Sequence, residues 1–319
     1  VVFVASTESI LSIILIIGLG YLLRRRGWFA DSFSGNISKL IMNIALPASI
    51  FVSVLKYLTR DKLFALSGGL VYTILSIIIG YLLAYFMVFI FKIPVGRKGV
   101  FINAVVNANT IFIGLPLNIA LFGENSLPFF LIYYVTNTVS TWAFGALIIA
   151  HDNPEKKSGS TKFNLKKLLP PPLIGFLVAL VFLLGNLPVP TFINSTLTYV
   201  GNMVTPLSLI YIGIILCDAG LRNIRLDRET LLALFGRFIL SPVVMIILIF
   251  ALERYLGQVP IVEAKTLVIQ SAGPALAVLP ILANEANGDV KYATNIVTTS
   301  TVLFMVVVPL LSGLLNMLF

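Results

Sequence analysis

The chain has 319 residues, 58% of them hydrophobic and only 11% charged. Soluble domains carry about a quarter charged residues, so this composition excludes a water-soluble globular fold, which would have no polar coat. A net charge of +9 would point to nucleic acid in a soluble protein; here the basic residues cluster between apolar runs and mark membrane topology instead, with no nucleic-acid partner.

A spanning helix needs roughly 20 mostly apolar residues. Ten spans follow along the chain, at about 3–23, 37–55, 63–91, 99–122, 127–150, 169–185, 191–217, 230–252, 260–284 and 291–318. The first is a retained span and not a secretory signal. A signal carries its positive charge ahead of the apolar core, whereas Arg24, Arg25 and Arg26 follow it. Residue 1 is Val and not Met, so the natural chain is expected to have been trimmed at this end. The longest polar stretch, His151 to Lys167, lies at the midpoint and holds five lysines. It divides the chain into a first half (1–150), a linker (151–168) and a second half (169–319). With the N-terminus outside, the inside loops hold 16 of the 22 Lys and Arg, the outside loops hold 5, and Arg237 lies within a span. That asymmetry places both termini outside the cytoplasmic membrane. Cys217 is the single cysteine, which excludes an internal disulfide.

The two halves share a pattern. Tyr134-Val-Thr-Asn-Thr-Val-Ser-Thr141 in span five matches Tyr292-Ala-Thr-Asn-Ile-Val-Thr-Thr299 in span ten at five of eight positions, with an offset of 158. Pro47 and Pro206, and Gly114 and Gly273, are offset by 159, and Pro116 and Pro274 by 158. Two repeats of five helices are therefore expected, and an odd number of spans per repeat inserts them with opposite orientation. Inverted repeats are common among secondary transporters.

Spans four and nine both place Gly and Pro at mid-membrane depth: Asn107-Ala-Asn109-Thr110-Ile-Phe-Ile-Gly114-Leu-Pro116 and Gln270-Ser-Ala-Gly273-Pro274. Proline removes an amide donor and crowds the preceding turn. Backbone groups freed in this way must be satisfied by protein or by a water-lined cavity. Helix breaks are expected at Pro47, Pro116, Pro206 and Pro274, and paired breaks in two inverted halves point to a binding site. The N-termini of half-helices there present amide donors and partial positive charge, which suits an anion. Asn43, Asn107, Asn109, Asn137, Gln270 and Asn295 are costly in hydrocarbon and should face inward, either as a neutral hydrogen-bonding pocket or as bridges between helices. Asn109 and Asn295 lead this set, with Asn137 following by repeat symmetry. Thr136, Thr138, Thr294 and Thr298 offer hydroxyls to the same pocket or to helix packing. Arg237 either meets a substrate anion or snorkels to the inner surface.

Several absences narrow the function. No Asp or Glu falls mid-span, and Glu8, Asp218 and Glu263 lie near span ends. Cation exchangers usually rely on intramembrane carboxylates, so an anionic substrate fits better. The chain carries no P-loop for ATP, no metal-ligand spacing and no nucleophile–base pair. Neither an enzyme nor a cofactor or metal site is expected.

Leu40-Ile-Met-Asn-Ile-Ala-Leu-Pro-Ala-Ser-Ile-Phe51, Asn109-Thr-Ile-Phe-Ile-Gly-Leu-Pro-Leu117 and Thr205-Pro-Leu-Ser-Leu-Ile-Tyr-Ile-Gly213 resemble the auxin efflux carrier family, as do Arg237 followed by Pro242 and the Thr-rich run ending at Pro309. The resemblance implies an all-α membrane protein of ten helices in two inverted repeats, similar to the bile-acid-symporter and sodium/proton-antiporter architectures. Helices four and nine would be unwound and cross near the bilayer centre. Helices 1, 2, 6 and 7 would form a scaffold, and helices 3–5 and 8–10 a moving transport domain, giving elevator-type alternating access. The short basic linker is similar to that of compact microbial members, which implies a malate-like or malonate-like carboxylate. The rival readings are a sodium-coupled organic-anion symporter, an exporter of an auxin-like compound, and a non-transporting receptor or intramembrane enzyme. Expected partners are the organic anion and the bilayer, with a homodimer as the assembly to test; the coupling ion, proton or sodium, stays open.

Overall fold

The computed structural model describes residues 2–59, 67–152, 171–220 and 224–319. Beyond His151 and Asp152, the predicted linker lies outside these residues, as do Arg60, Lys62 and Arg222. In chain order the helices are α1 (Val2–Arg25), α2 (Phe33–Tyr57), α3 (Ser67–Phe91), α4 (Lys98–Val106), α5 (Thr110–Phe122), α6 (Glu124–His151), α7 (Pro171–Gly185), α8 (Thr191–Asp218), α9 (Arg228–Leu256), α10 (Ile261–Ser271), α11 (Leu279–Glu285) and α12 (Val290–Leu318). Among the described residues, six helices are long and apolar enough to cross a membrane: α2, α3, α6, α8, α9 and α12. Their outward faces carry exposed large apolar side chains such as Phe89, Tyr199, Ile247 and Leu310. In water such a surface would drive aggregation, whereas lipid accepts it.

Apolar solvent supplies little force to press helices together, so close packing must do it, and small residues permit close packing. Gly20 of α1 lies against the backbone of Ile210, and Gly213 of α8 against Ile17 and Gly20. Gly175 of α7 and Gly201 of α8 fit against Pro47 and Ser49 of α2, where any Cβ would collide with backbone. These contacts tie α1, α2, α7 and α8 together. A separate buried core is built from α3, α4, α9, α11 and α12, with Phe101, Ala104, Ala233, Leu279 and Ala293 fully enclosed.

Three of the prolines sit just after a widened turn. Leu46, Leu115 and Ser241 donate to the carbonyls of Ile41, Thr110 and Gly236, five residues back, and Pro47, Pro116 and Pro242 follow. The wide turn takes the carbonyl four residues back out of the ring's path, so the helix continues. The expected breaks at Pro47 and Pro116 are therefore bulges. Near Pro206 the helical run of α8 is interrupted: it stops at Gly201, passes through a two-residue turn at Asn202 and Met203 and resumes at Val204, so Pro206 lies in a first turn, where its missing donor costs nothing.

Polar contacts segregate the connections into two groups. At one end Arg24 pairs with Asp31 and Asp218, both at 2.6 Å, and Arg97 with Asp289 at 2.7 Å and Glu229 at 3.4 Å. At the other, Lys56 meets Glu124 at 3.1 Å and Lys265 meets Asn316 at 2.8 Å.

Candidate functional site

Two interrupted helices meet inside the bundle. α4 stops at Val106, Asn107 and Ala108 run extended, and α5 begins at Thr110. α10 stops at Ser271, and seven residues pass before α11 begins at Leu279. The two linking segments pair antiparallel at Ala108 and Ala275, and the Asn109 amide donates to the Pro274 carbonyl at 2.8 Å. A lone bridge leaves most backbone groups of both segments in need of partners, and buried side chains provide them.

Asn137 of α6 serves Ala108 on both sides. It accepts from the Ala108 amide and donates to the Ala108 carbonyl, each at 2.9 Å. Its carboxamide thereby does what a neighbouring strand would do. Ser300 of α12 accepts from the Ala275 amide at 3.1 Å. Gln270 donates to the Gly114 carbonyl at 3.0 Å, and a Cβ at Gly114 would collide with the Gln270 amide oxygen. Asn109 caps α5 by accepting from Phe112 at 3.3 Å. Asn107 is completely buried among Asn103, Tyr81 and Ser140, donating to the first two and accepting from the third.

Arg237 of α9 is 1% exposed. Its guanidinium donates to three carbonyls: Val105 at 3.0 Å, Ser271 at 2.7 Å and Gly273. Val105 closes α4, while Ser271 and Gly273 close α10. Helix C-termini carry unsatisfied carbonyls and partial negative charge. One cation therefore serves the C-terminal ends of both interrupted helices. Snorkelling to the inner surface does not fit this enclosed position. The planar five-donor fork suits the task better than an ammonium would.

The sequence-derived set thus divides. Asn107, Asn109, Thr110, Gly114, Asn137, Arg237, Gln270, Gly273 and Pro274 converge on the crossing, and Pro116 is buried one turn into α5. Two residues depart from expectation. Asn43 is exposed and bonds back to the Lys39 carbonyl at 2.9 Å, because an asparagine on an outward helix face can satisfy itself on its own preceding turn. Asn295 lies at one end of the bundle, where it accepts from the Arg225 amide and donates to the Arg225 carbonyl, both at 2.8 Å. It clasps the connection before α9 as Asn137 clasps Ala108, with the same chemistry at a different level. Thr136 and Thr294 turn their hydroxyls back onto their own helices. The break in the first interrupted helix falls at Asn107 to Asn109, ahead of Gly114 and Pro116. Tyr81, Ser140, Ser271 and Ser300 complete the site and were not singled out from sequence; a run of hydroxyl residues inside a span, such as Thr298 to Thr301, is the signal that points to them.

The end that holds Asn295 has its own electrostatics. Asp289 caps α12 by accepting from the Tyr292 amide at 2.9 Å and pairs with Arg97. Burial pushes its carboxyl up, but the Tyr292 amide and the Arg97 guanidinium outweigh burial and hold it below the usual carboxylate range. A carboxyl lowered in the fold adds stability above its unfolded pKa, near ~4, and that stability is lost as pH falls through the lowered native value. Acidification below about pH 4 is expected to lower the protection of the amides around residues 286–292 relative to their intrinsic exchange rates. Asp289→Asn should flatten that pH dependence, as hydrogen-exchange mass spectrometry would register.

Long apolar helices, apolar outward faces and a buried polar crossing define an integral, multi-pass membrane protein. A family model described as membrane transport protein matches residues 5–312, and the chain belongs to that family, the auxin efflux carrier family whose motifs it carries. It is 27% identical over 318 residues to an uncharacterized transporter of Methanothermobacter thermautotrophicus, covering 98% of this chain and 100% of the relative. It is also 23% identical over 304 residues to an uncharacterized transporter of Methanocaldococcus jannaschii, covering 94% and 96%.

Proposed function

We propose that the protein is a secondary transporter of a small organic carboxylate, malate-like or malonate-like, held at the crossing of the two interrupted helices. The observation that carries this reading is the placement of Arg237. Each interruption creates one C-terminal and one N-terminal half-helix end. Arg237 occupies the carbonyls of both C-terminal ends. The starts of α5 and α11 have no acidic residue in their first turns, their amides being met by neutral groups such as the Ala108 carbonyl, Asn109 and the Leu276 and Val278 carbonyls, and among the described residues no carboxylate hydrogen-bonds or pairs with the guanidinium. Such a region favours a negative ligand. Asn109 and Thr110, at the start of α5, would orient it.

The same placement weighs against the sodium-coupled alternative in its simplest form. Carbonyls freed at helix breaks are good sodium ligands, but here they receive a guanidinium, whose charge repels a second cation. Movement of the site fits an elevator of two inverted five-helix repeats. In that arrangement α1, α2, α7 and α8, tied by glycine contacts, stay fixed while the helices around the crossing shift. Purified protein in proteoliposomes should take up labelled malate or malonate, and excess neutral malonamide should not compete. Equal competition by malonamide, or uptake of inorganic cations alone, would overturn the assignment.

A further inference from the structure

α10 carries a second polar device, ahead of its junction with the crossing. Glu263 stands in its first turn and is only 5% exposed. Among the described residues it has no hydrogen-bond or ion-pair partner. An N-terminal capping box, in which such a glutamate reaches back to the N-cap amide, is ruled out because the N-cap residue is Pro260, which has no N–H. Glu263, Thr266 and Gln270 fall at positions i, i+3 and i+7, one face of the helix over about 10 Å. Along this face and beside it, the Thr266 hydroxyl, the Gln270 amide oxygen and the Tyr72 hydroxyl of α3 are buried polar atoms that no protein group satisfies. Native interiors hold few such atoms; here three accompany one lone carboxyl, and the stripe ends on the residue that grips Gly114.

We propose that Glu263 is the proton-binding site that couples transport to a pH gradient. Two influences oppose each other there. The start of a helix favours the charged carboxylate, and enclosure without a cation penalises it. A group balanced in this way binds a proton in one conformation and releases it in another. Among the described residues, the titratable groups of the elements packed here are Tyr72 on α3, on which Glu253 of α9 also acts, Tyr133 on α6 in the same apolar core, and Lys265 on α10 itself, whose ammonium is engaged by Asn316. The carboxylate takes one proton from the aqueous phase on one side. It gives up the same proton on the other side after the helices around the crossing move, so one proton travels with the anion. This coupling rests on the carboxylate-transport reading, but the protonation of Glu263 can be tested apart from it.

Infrared difference spectra between neutral and alkaline pH should contain the C=O stretch of a protonated carboxyl in the wild type and lack it in Glu263→Gln. In proteoliposomes, an acid-outside gradient should stimulate labelled malate uptake several-fold in the wild type and leave Glu263→Gln at its no-gradient rate. Thr266→Val keeps the carboxyl but interrupts the polar stripe; it should retain the infrared band and lose the stimulation. Absence of the band in the wild type, or full stimulation in either variant, would overturn the proposal. Absence of malate uptake under every condition would instead count against the substrate assignment, and the infrared band would still decide Glu263.

Discussion

Replacing Arg237 by methionine is expected to cause the largest single loss in this protein. The aliphatic side chain fits the enclosed space, but the carbonyls of Val105, Ser271 and Gly273 lose their shared donor. A buried polar group left unsatisfied costs on the order of 1–3 kcal/mol. Even if relaxation returns one of the three, a loss of about 3 kcal/mol or more remains, because removing one member of a buried charged network is strongly destabilising. Detergent-solubilised Arg237→Met should melt well below the wild type. Arg237→Lys should fall between them, since it keeps the charge but cannot span three carbonyls in one plane. If the methionine variant melts with the wild type, the guanidinium does not hold the half-helices together.

The second large effect is expected at Asn137. Asn137→Ala leaves the Ala108 amide without an acceptor and the Ala108 carbonyl with the Thr110 amide alone, at a cost of about 1–3 kcal/mol. Asn137→Asp is the sharper test because the side chain is nearly isosteric. The Ala108 amide keeps an acceptor, but the carbonyl keeps only the Thr110 amide and faces a carboxylate oxygen where the side-chain N–H was. The aspartate variant should therefore be at least as destabilised as the alanine variant at neutral pH and recover on acidification, when the carboxyl can donate. Thermal unfolding of both variants against pH separates these outcomes. An aspartate variant as stable as the wild type at neutral pH would show that the clamp is not formed.

Of the ten expected spans, six answer to described helices long and apolar enough to cross a membrane, and these were legible because the bilayer imposes a length and a composition that few other folds share. The meeting of two polar, interrupted segments was legible because Gly-Pro and clustered asparagines are expensive at that depth. Their exact break points were not. Gly114 and Pro116 look like the stronger breakers, but a widened turn absorbs Pro116, while Asn107 to Asn109 can leave the helix because side-chain amides replace the missing backbone partners. Asn295 was misplaced for a related reason. It matches Asn137 in the repeated octapeptide, but the partner of Ala275 is Ser300, five residues further along α12. The motif kept its chemistry while its level relative to the crossing changed. Glu263 was passed over because counting from the span end put it near water; only the packing of α3 and α6 around it, with Gly69 and Ile132 closely apposed, encloses it.

The anion is proposed to bind at the starts of α5 and α11, beside the Ala108–Ala275 bridge. A cryo-EM map of the protein saturated with malonate, compared with one without it, tests this most directly. New density is expected against Asn109 and Thr110, with Arg237 still on its three carbonyls. Density elsewhere with an empty crossing, or an Arg237 that swings out to meet the ligand, would contradict it.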